Sequence, residues 1–375
     1  MKIPLRWFPQ EIIDQYNIMD LVGDDNCVYV EIRKGMNGLI QAARIAFDRL
    51  VTLLAPHGYS PVKHTPGLWR HKTLPTVFTL CVDDFGIKYL DPAHADHLLR
   101  ALKQNYTISV DWTGQHYCGL FLEWNYTEGY VDVSMPDYVQ KALDKFRHAA
   151  PRKPQHAPHS WTAPAYGQRV QYAQDPCTSP PLDQEGTKYV QGVTGTFLYY
   201  SRTVDPTMLV ALNKISASQS KPTENTMSAV RHLLDYAHTY PNATIRYYAS
   251  AMILYIVSDA AYLVLPNARS RVAGHFFLSN QPPAPPALPN PKPNGPIHTV
   301  CKTLRNVVSS AAESETGGIF VNGQEGVPII VALEEMGHKQ PPNGTPLETD
   351  SESSVGINTR LMRPKRSKSW DMRYH

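Results

Sequence analysis

The chain has 375 residues, 42% of them hydrophobic and 18% charged, with a formal net charge of +3. That length suffices for two or three domains with cores of their own, and the balance is that of a globular rather than a disordered chain. Five scattered cysteines with no C-x-x-C exclude a disulfide framework and a cysteine-based zinc site; no secretory leader or membrane-length apolar run is seen, which points to an intracellular protein without a membrane role.

In chain order, "VYVEI" (28–32) has the alternation of a strand, and "GLIQAARIAFDRLVTLLAPHGY" (38–59) the spacing of an amphipathic helix closed by Pro56 and Gly58. "TVFTLCV" (76–82) and "FGIKYL" (85–90) are two β-type runs on either side of Asp83-Asp84. A helix is expected over 94–106, a hairpin over 117–136 and a helix over 137–148. Residues 151–186 carry seven prolines, which lack the N–H that a helix interior or central strand needs, and so read as a linker. A helix follows over 225–240, then a second hairpin pattern in "AMILYIVSDAAYLV" and "SRVAGHFFLS". The segment "QPPAPPALPNPKPNGP" (281–296) is half proline and reads as an extended insert, with a helix starting near Ser309. The fold class is α+β, with two sheet-plus-helix units. The end of the chain is basic: Arg360, Arg363, Lys365, Arg366, Lys368 and Arg373 stand against one Asp, either a solvated tail or a phosphate-contacting segment.

Two adjacent carboxylates on a tight hairpin turn repel one another unless a dication or proton intervenes. On residue types alone, Asp83-Asp84 is an ordinary turn or half of a metal site. The surrounding motifs favour the second. "NGLIQAAR" (37–44), "CVDD" (81–84), "TPGLWRH", "HADHLL", "DWTG" and "VDVSMPDYV" resemble the reverse transcriptase of LTR-retrotransposon Pol polyproteins of the copia type. The resemblance runs the length of the chain, with Asn37 standing where the family has tyrosine. It implies that Asp83, and less directly Asp84, hold Mg²⁺, with Mn²⁺ as a substitute. It also implies that Gly38, Gln41 and Arg44 lie near nucleotide and template. Two-metal phosphoryl transfer needs a further carboxylate from an earlier strand. None of Asp14, Asp20, Asp24 and Asp25 follows a suitable β run. The expectation is a palm that begins just after its first catalytic Asp and does not polymerise.

A second acidic set lies further on. Asp259 ends an apolar strand, Glu313 and Glu315 open a helix, and Asp350 precedes another. Taken singly, Asp350 serves as well as a helix N-cap, and Glu313 as a first-turn residue favoured by the helix dipole. Together and in this order they resemble the ribonuclease H domain that follows the polymerase in the same elements. The resemblance implies that Asp259, Glu313 and Asp350 are metal ligands, with Asp371 as the fourth acidic position.

The expected organisation is a partial palm over 1–148, a linker over 149–186, a connection or thumb region over 187–245 and a ribonuclease H-like α/β domain over 246–375 with its proline-rich insert at 281–296. The implied activities are RNA-directed DNA synthesis, lost in this chain, and cleavage of RNA in RNA–DNA hybrids. The implied partners are that hybrid, an RNA template with its DNA primer, and other parts of Pol. The competing expectation is a non-catalytic relic or domesticated module that binds nucleic acid through its basic tail.

Overall fold

The structure is a computed structural model, and it describes residues 1–31, 39–160, 177–265, 267–280, 291–359 and 361. Gly38, Asp371, the basic residues from Arg360 to Arg373 and parts of both proline-rich stretches lie outside the described residues. Helix and sheet are mixed throughout, which gives the α+β class. The chain divides into two compact units. The first comprises Met1–Val62, Gly67–Thr79 and Ile87–Ile108, and the second Lys63–Pro66, Leu80–Gly86 and everything from Ser109.

The first unit contains an antiparallel pair, β1 (Lys2–Pro4) and β2 (Cys27–Tyr29), with the short α1 (Gln10–Gln15) between them in sequence. Then come α2 (Ile40–Leu54), β3 (Tyr59–Pro61), β4 (Leu68–His71), β5 (Val77–Cys81), β6 (Asp84–Lys88) and α3 (Pro92–Lys103), the four strands being ordered β3-β4-β5-β6, with the end of β5 and the start of β6 (Leu80–Gly86) grouped with the second unit. α3 starts two residues before the expected 94–106 and ends three residues sooner: Asp91 caps it by accepting the Ala93 N–H (2.8 Å), and Pro92 fills a position that needs no N–H. Ala95, Leu98, Leu99 and Leu102 then form its buried stripe. Trp69 and Phe78 lie directly opposite each other on β4 and β5 and stack at 5.5 Å.

A histidine group sits in this unit. His71 Nδ1 accepts the N–H groups of Thr73 and Leu74, which leaves its Nε2–H to donate to His57 O (3.0 Å). His97 meets the His71 ring at 5.4 Å and is hydrogen-bonded through Nδ1 to the Tyr59 hydroxyl (3.0 Å). Burial, reinforced by His71, His57 and Arg100, holds His97 below the ordinary 6.5. The unfolded chain therefore binds this proton more readily than the folded one. The contribution of neutral His97 is complete above pH 6.5 and is lost as pH falls below it. Amide protection of α3 and β4 is expected to drop on acidification from pH 7 to 5.5, with the drop flattened by His97→Gln. A protection profile in which the variant is as acid-sensitive as the parent would contradict this.

The second unit opens with β7 (His116–Tyr117), β8 (Leu120–Asn125), β9 (Tyr130–Ser134) and α4 (Tyr138–Lys145). It continues through α5 (Gln184–Thr203), α6 (Leu209–Ser218), α7 (Glu224–Thr239) and β10 (Thr244–Tyr248). β10 adds to the sheet as β10-β9-β8-β7. The cross-strand partners Arg246 and Asp132 form a two-pronged ion pair (2.8 and 2.7 Å), with the guanidinium over the Tyr130 ring. The inward residues Leu120, Leu122, Val131, Val133 and Tyr247 pack on a core built from α4 to α7, centred on Phe197, Tyr200, Met208, Leu212 and Leu233. Each such fully buried side chain contributes about 1.5–3 kcal/mol relative to exposure. Residues 109–148, placed with the first domain from the sequence, thus share a core with α5–α7.

The remaining elements are β11 (Ile253–Leu265), β12 (Arg269–Ser279), β13 (Pro296–Thr303), α8 (Ala311–Glu335), β14 (Leu347–Glu348) and α9 (Glu352–Asn358). The sheet runs β13-β12-β11-β14, antiparallel except for the parallel β11–β14 pair. α8 covers one face, burying Leu254, Ile256, Val272 and Phe276. Asn294 bridges the two sheets of this unit. Its side chain accepts the Tyr248 N–H (2.8 Å) and donates to Tyr248 O (2.9 Å) and Leu278 O (3.1 Å), as a strand backbone would. Gly295 follows because a Cβ there would lie 2.6 Å from Arg246 O.

Candidate metal centre

The parallel register between β11 and β14 decides the position of two carboxylates. Val257 is paired with Glu348. Asp259 and Asp350 each lie two residues beyond that rung, so side-chain alternation sends them to the same face on neighbouring chain segments. Tyr255 fixes the rung by donating its hydroxyl to Glu348 Oε2 (3.1 Å). Asp350 is not spent as a cap, because Ser351 caps α9 by accepting the Ser354 N–H.

The third carboxylate is Glu315 of α8. β14 ends at Glu348, so among the described residues the edge of β11 beyond it has no strand partner. Ile256 N–H donates to Pro346 O on that edge. Four residues on, the Ala260 N–H that points the same way donates instead to Glu315 Oε1 (3.2 Å), and Thr349 Oγ1 donates to Oε2 (3.4 Å). Asp259, Glu315 and Asp350 thereby bring one oxygen each within 4.8 Å of one another. Glu315 is buried, and Asp259 and Asp350 are exposed.

Glu313, expected from the resemblance to be the helix ligand, is not in this group. It belongs to a capping arrangement at the start of α8: Ser310 Oγ accepts the Glu313 N–H (3.1 Å), while the Glu313 carboxylate accepts from the Ser309 N–H and from Ser309 Oγ (2.7 Å). Two residues along a helix rotate a side chain by about 200°, so Glu313 and Glu315 cannot serve the same face.

The electrostatics suit a cation. Two unit charges about 4 Å apart repel by about 1 kcal/mol in bulk water and about 4 kcal/mol at an effective dielectric near 20. Burial, then repulsion from Asp259 and Asp350, pushes the Glu315 carboxyl up to about 7 from 4.5, against the opposing hydrogen bonds from Ala260 and Thr349. Three hard oxygen donors with unbalanced negative charge fit Mg²⁺ or Mn²⁺, and the set lacks the nitrogen or sulfur donors that favour zinc.

A pH signature follows. The folded chain holds the Glu315 proton more tightly than the unfolded one, so stability falls as pH rises from 4.5 to about 7 and stays low above that. His275 and His298, lowered mainly by burial, act in the opposite sense below 6.5. The difference between melting temperatures in Mg²⁺ and in EDTA separates the two effects. That difference is expected to grow from pH 5 to pH 8, and one independent of pH would count against the cluster as a cation site.

The other expected site residues are distributed as follows. Asp83 lies in the two-residue turn between β5 and β6, after Val82 at φ 58°, and Asp84 opens β6; both are exposed. Among the described residues no third His, Cys, Asp or Glu joins them at metal-binding spacing. Gln41 and Arg44 are exposed on α2, with Arg44 paired to Asp48 (2.9 Å). Gly38 and Asp371 fall outside the described residues. No described helix is long and apolar enough to cross a membrane. Neither the family models nor the curated proteins compared with this chain match it.

Proposed function

We propose that the chain is part of a retrotransposon Pol polyprotein whose second unit cleaves the RNA strand of RNA–DNA hybrids with the help of divalent cations. The observation that carries this is the convergence of Asp259, Glu315 and Asp350 from a strand, a helix and a loop far apart in sequence. Asp259, Glu315 and Asp350 would hold the cations, which would supply an activated water and stabilise the leaving oxygen during phosphodiester cleavage. The chain's own residues set up that site. The β11–β14 register aligns two carboxylates, the Ala260 N–H and the Thr349 hydroxyl orient the third, and the raised affinity of Glu315 for a proton keeps the apo cluster from carrying its full charge.

The test is a labelled hybrid incubated with the full chain in Mg²⁺, in Mn²⁺ and in EDTA, beside single-stranded RNA, duplex RNA and duplex DNA. Cation-dependent cleavage of the hybrid's RNA strand is the expected result. Cation-independent cleavage would overturn the metal-centre reading, and no cleavage alongside salt-sensitive hybrid binding would favour the non-catalytic nucleic-acid-binding module.

A further inference from the structure

Glu315 belongs to a helix and Asp259 to a strand, so the triad exists only while α8 keeps one register on the sheet. Apolar contacts along α8 constrain that register weakly, because a slide changes which methyl groups touch without removing contact. Directional hydrogen bonds do not permit a slide.

Two turns beyond Glu315, Asn322 is completely buried. Its Nδ2 donates to Ser258 Oγ (2.8 Å) and to Ala273 O (2.8 Å). The acceptors lie on adjacent rungs of the β11–β12 pair: Ala273 is the cross-strand partner of Asp259, and Ser258, which immediately precedes Asp259, is paired with Gly274. Because the Ala273 carbonyl can only accept, the orientation of the amide is fixed. That orientation leaves Asn322 Oδ1 buried with no hydrogen-bond partner among the described residues. A leucine would occupy similar space without stranding an acceptor, so burial alone does not account for an asparagine here. What the asparagine supplies is a pair of donors aimed at Asp259's own rung and the one beside it. Together with the Ala260–Glu315 bond, they tie α8 to β11 at two points about 10 Å apart along the helix.

We propose that Asn322 is a positioning residue which locks α8 onto the Asp259 rung and so holds Glu315 at cation-binding distance from Asp259 and Asp350. This rests on the reading of the triad as a metal centre. Mn²⁺ binding to the full chain, followed by electron paramagnetic resonance, tests it in the wild type, Asn322→Leu and Leu333→Ala. Leu333→Ala thins the same helix–sheet core near the far end of α8 and controls for lost stability. Asn322→Leu is expected to weaken Mn²⁺ binding by roughly tenfold or more, the range typical of residues that orient metal ligands. Leu333→Ala is expected to stay within about twofold at a similar loss of melting temperature. Wild-type affinity in Asn322→Leu overturns the proposal and leaves the metal reading standing; no Mn²⁺ binding by the wild type overturns both. Should Asn322→Leu fail to fold, Ser258→Ala, which removes one of the two acceptors, carries the same test. Weaker Mn²⁺ binding in a folded Ser258→Ala supports the lock, and unchanged binding overturns it.

Discussion

Asp259→Asn is expected to abolish cation binding and hybrid cleavage together while leaving the fold intact. Asp259 is exposed and its backbone stays in the β11–β12 ladder whatever its side chain. A fall in cleavage of at least about 10³-fold corresponds to about 4 kcal/mol of lost transition-state stabilisation. In EDTA the variant should be no less stable than the parent, because it removes one charge from a mutually repelling set. In Mg²⁺ at 100 times its dissociation constant the parent gains about 2.7 kcal/mol by mass action, and the variant should gain close to nothing. Glu313→Gln is the companion measurement. It should keep cation binding and lose about 1 kcal/mol of stability through the weakened cap of α8. The reverse pattern, with Glu313 essential for binding and Glu315 dispensable, would restore the original ligand assignment.

Gly274→Ala is expected to be the most damaging small substitution in the second unit. A Cβ at 274 would lie 2.7 Å from Asn322 Cγ, closer still to Oδ1, and 3.0 Å from the Phe276 ring. The amide cannot retreat without giving up its bonds to Ser258 and Ala273 inside the core. Overpacking and the loss of two buried hydrogen bonds together cost about 3–5 kcal/mol. Urea denaturation measures this directly. Adding Asn322→Ala should recover part of the loss, since the two changes share one contact and cannot be additive. Full additivity would show that the clash is relieved elsewhere.

What the sequence disclosed follows from what each segment buries. β11 was legible from its apolar run, but Asp259 does not end it: the strand continues to Leu265, with Asp259 paired to Ala273 in mid-ladder. α3 was legible because its cap, proline and apolar stripe agree. α5 was missed: Gly186, Gly192 and Gly195 with several Thr and Tyr give it poor intrinsic helicity, and it forms because Val190, Val193, Phe197 and Tyr200 are buried in a core shared with α6 and α7. Glu313 was chosen over Glu315 because the resemblance supplied a helix glutamate without a face. The sequence did hold the correcting signal, a serine three residues before Glu313 that marks a helix cap. The pairing of Asp259 with Asp350 had no local signal, since it rests on a parallel register set by the two-residue strand β14.

The Asn294–Gly295 bridge bears on how this domain tolerates change in its proline-rich insert. A chain re-entering a sheet after a long excursion has its alignment set by whatever first holds it, and a slip of one residue would exchange the two faces of β13. Val300 would leave the core under α8, and a polar neighbour would enter it. Here the holding point lies just upstream of the strand, where Asn294 takes both main-chain groups of Tyr248 and Gly295 fits against Arg246. The alignment of β13 is thus uncoupled from how many residues separate Ser279 from Asn294. The segment can therefore gain or lose prolines over time as a nearly neutral spacer, while substitution of either residue of the Asn-Gly pair would let that variation reach the strand.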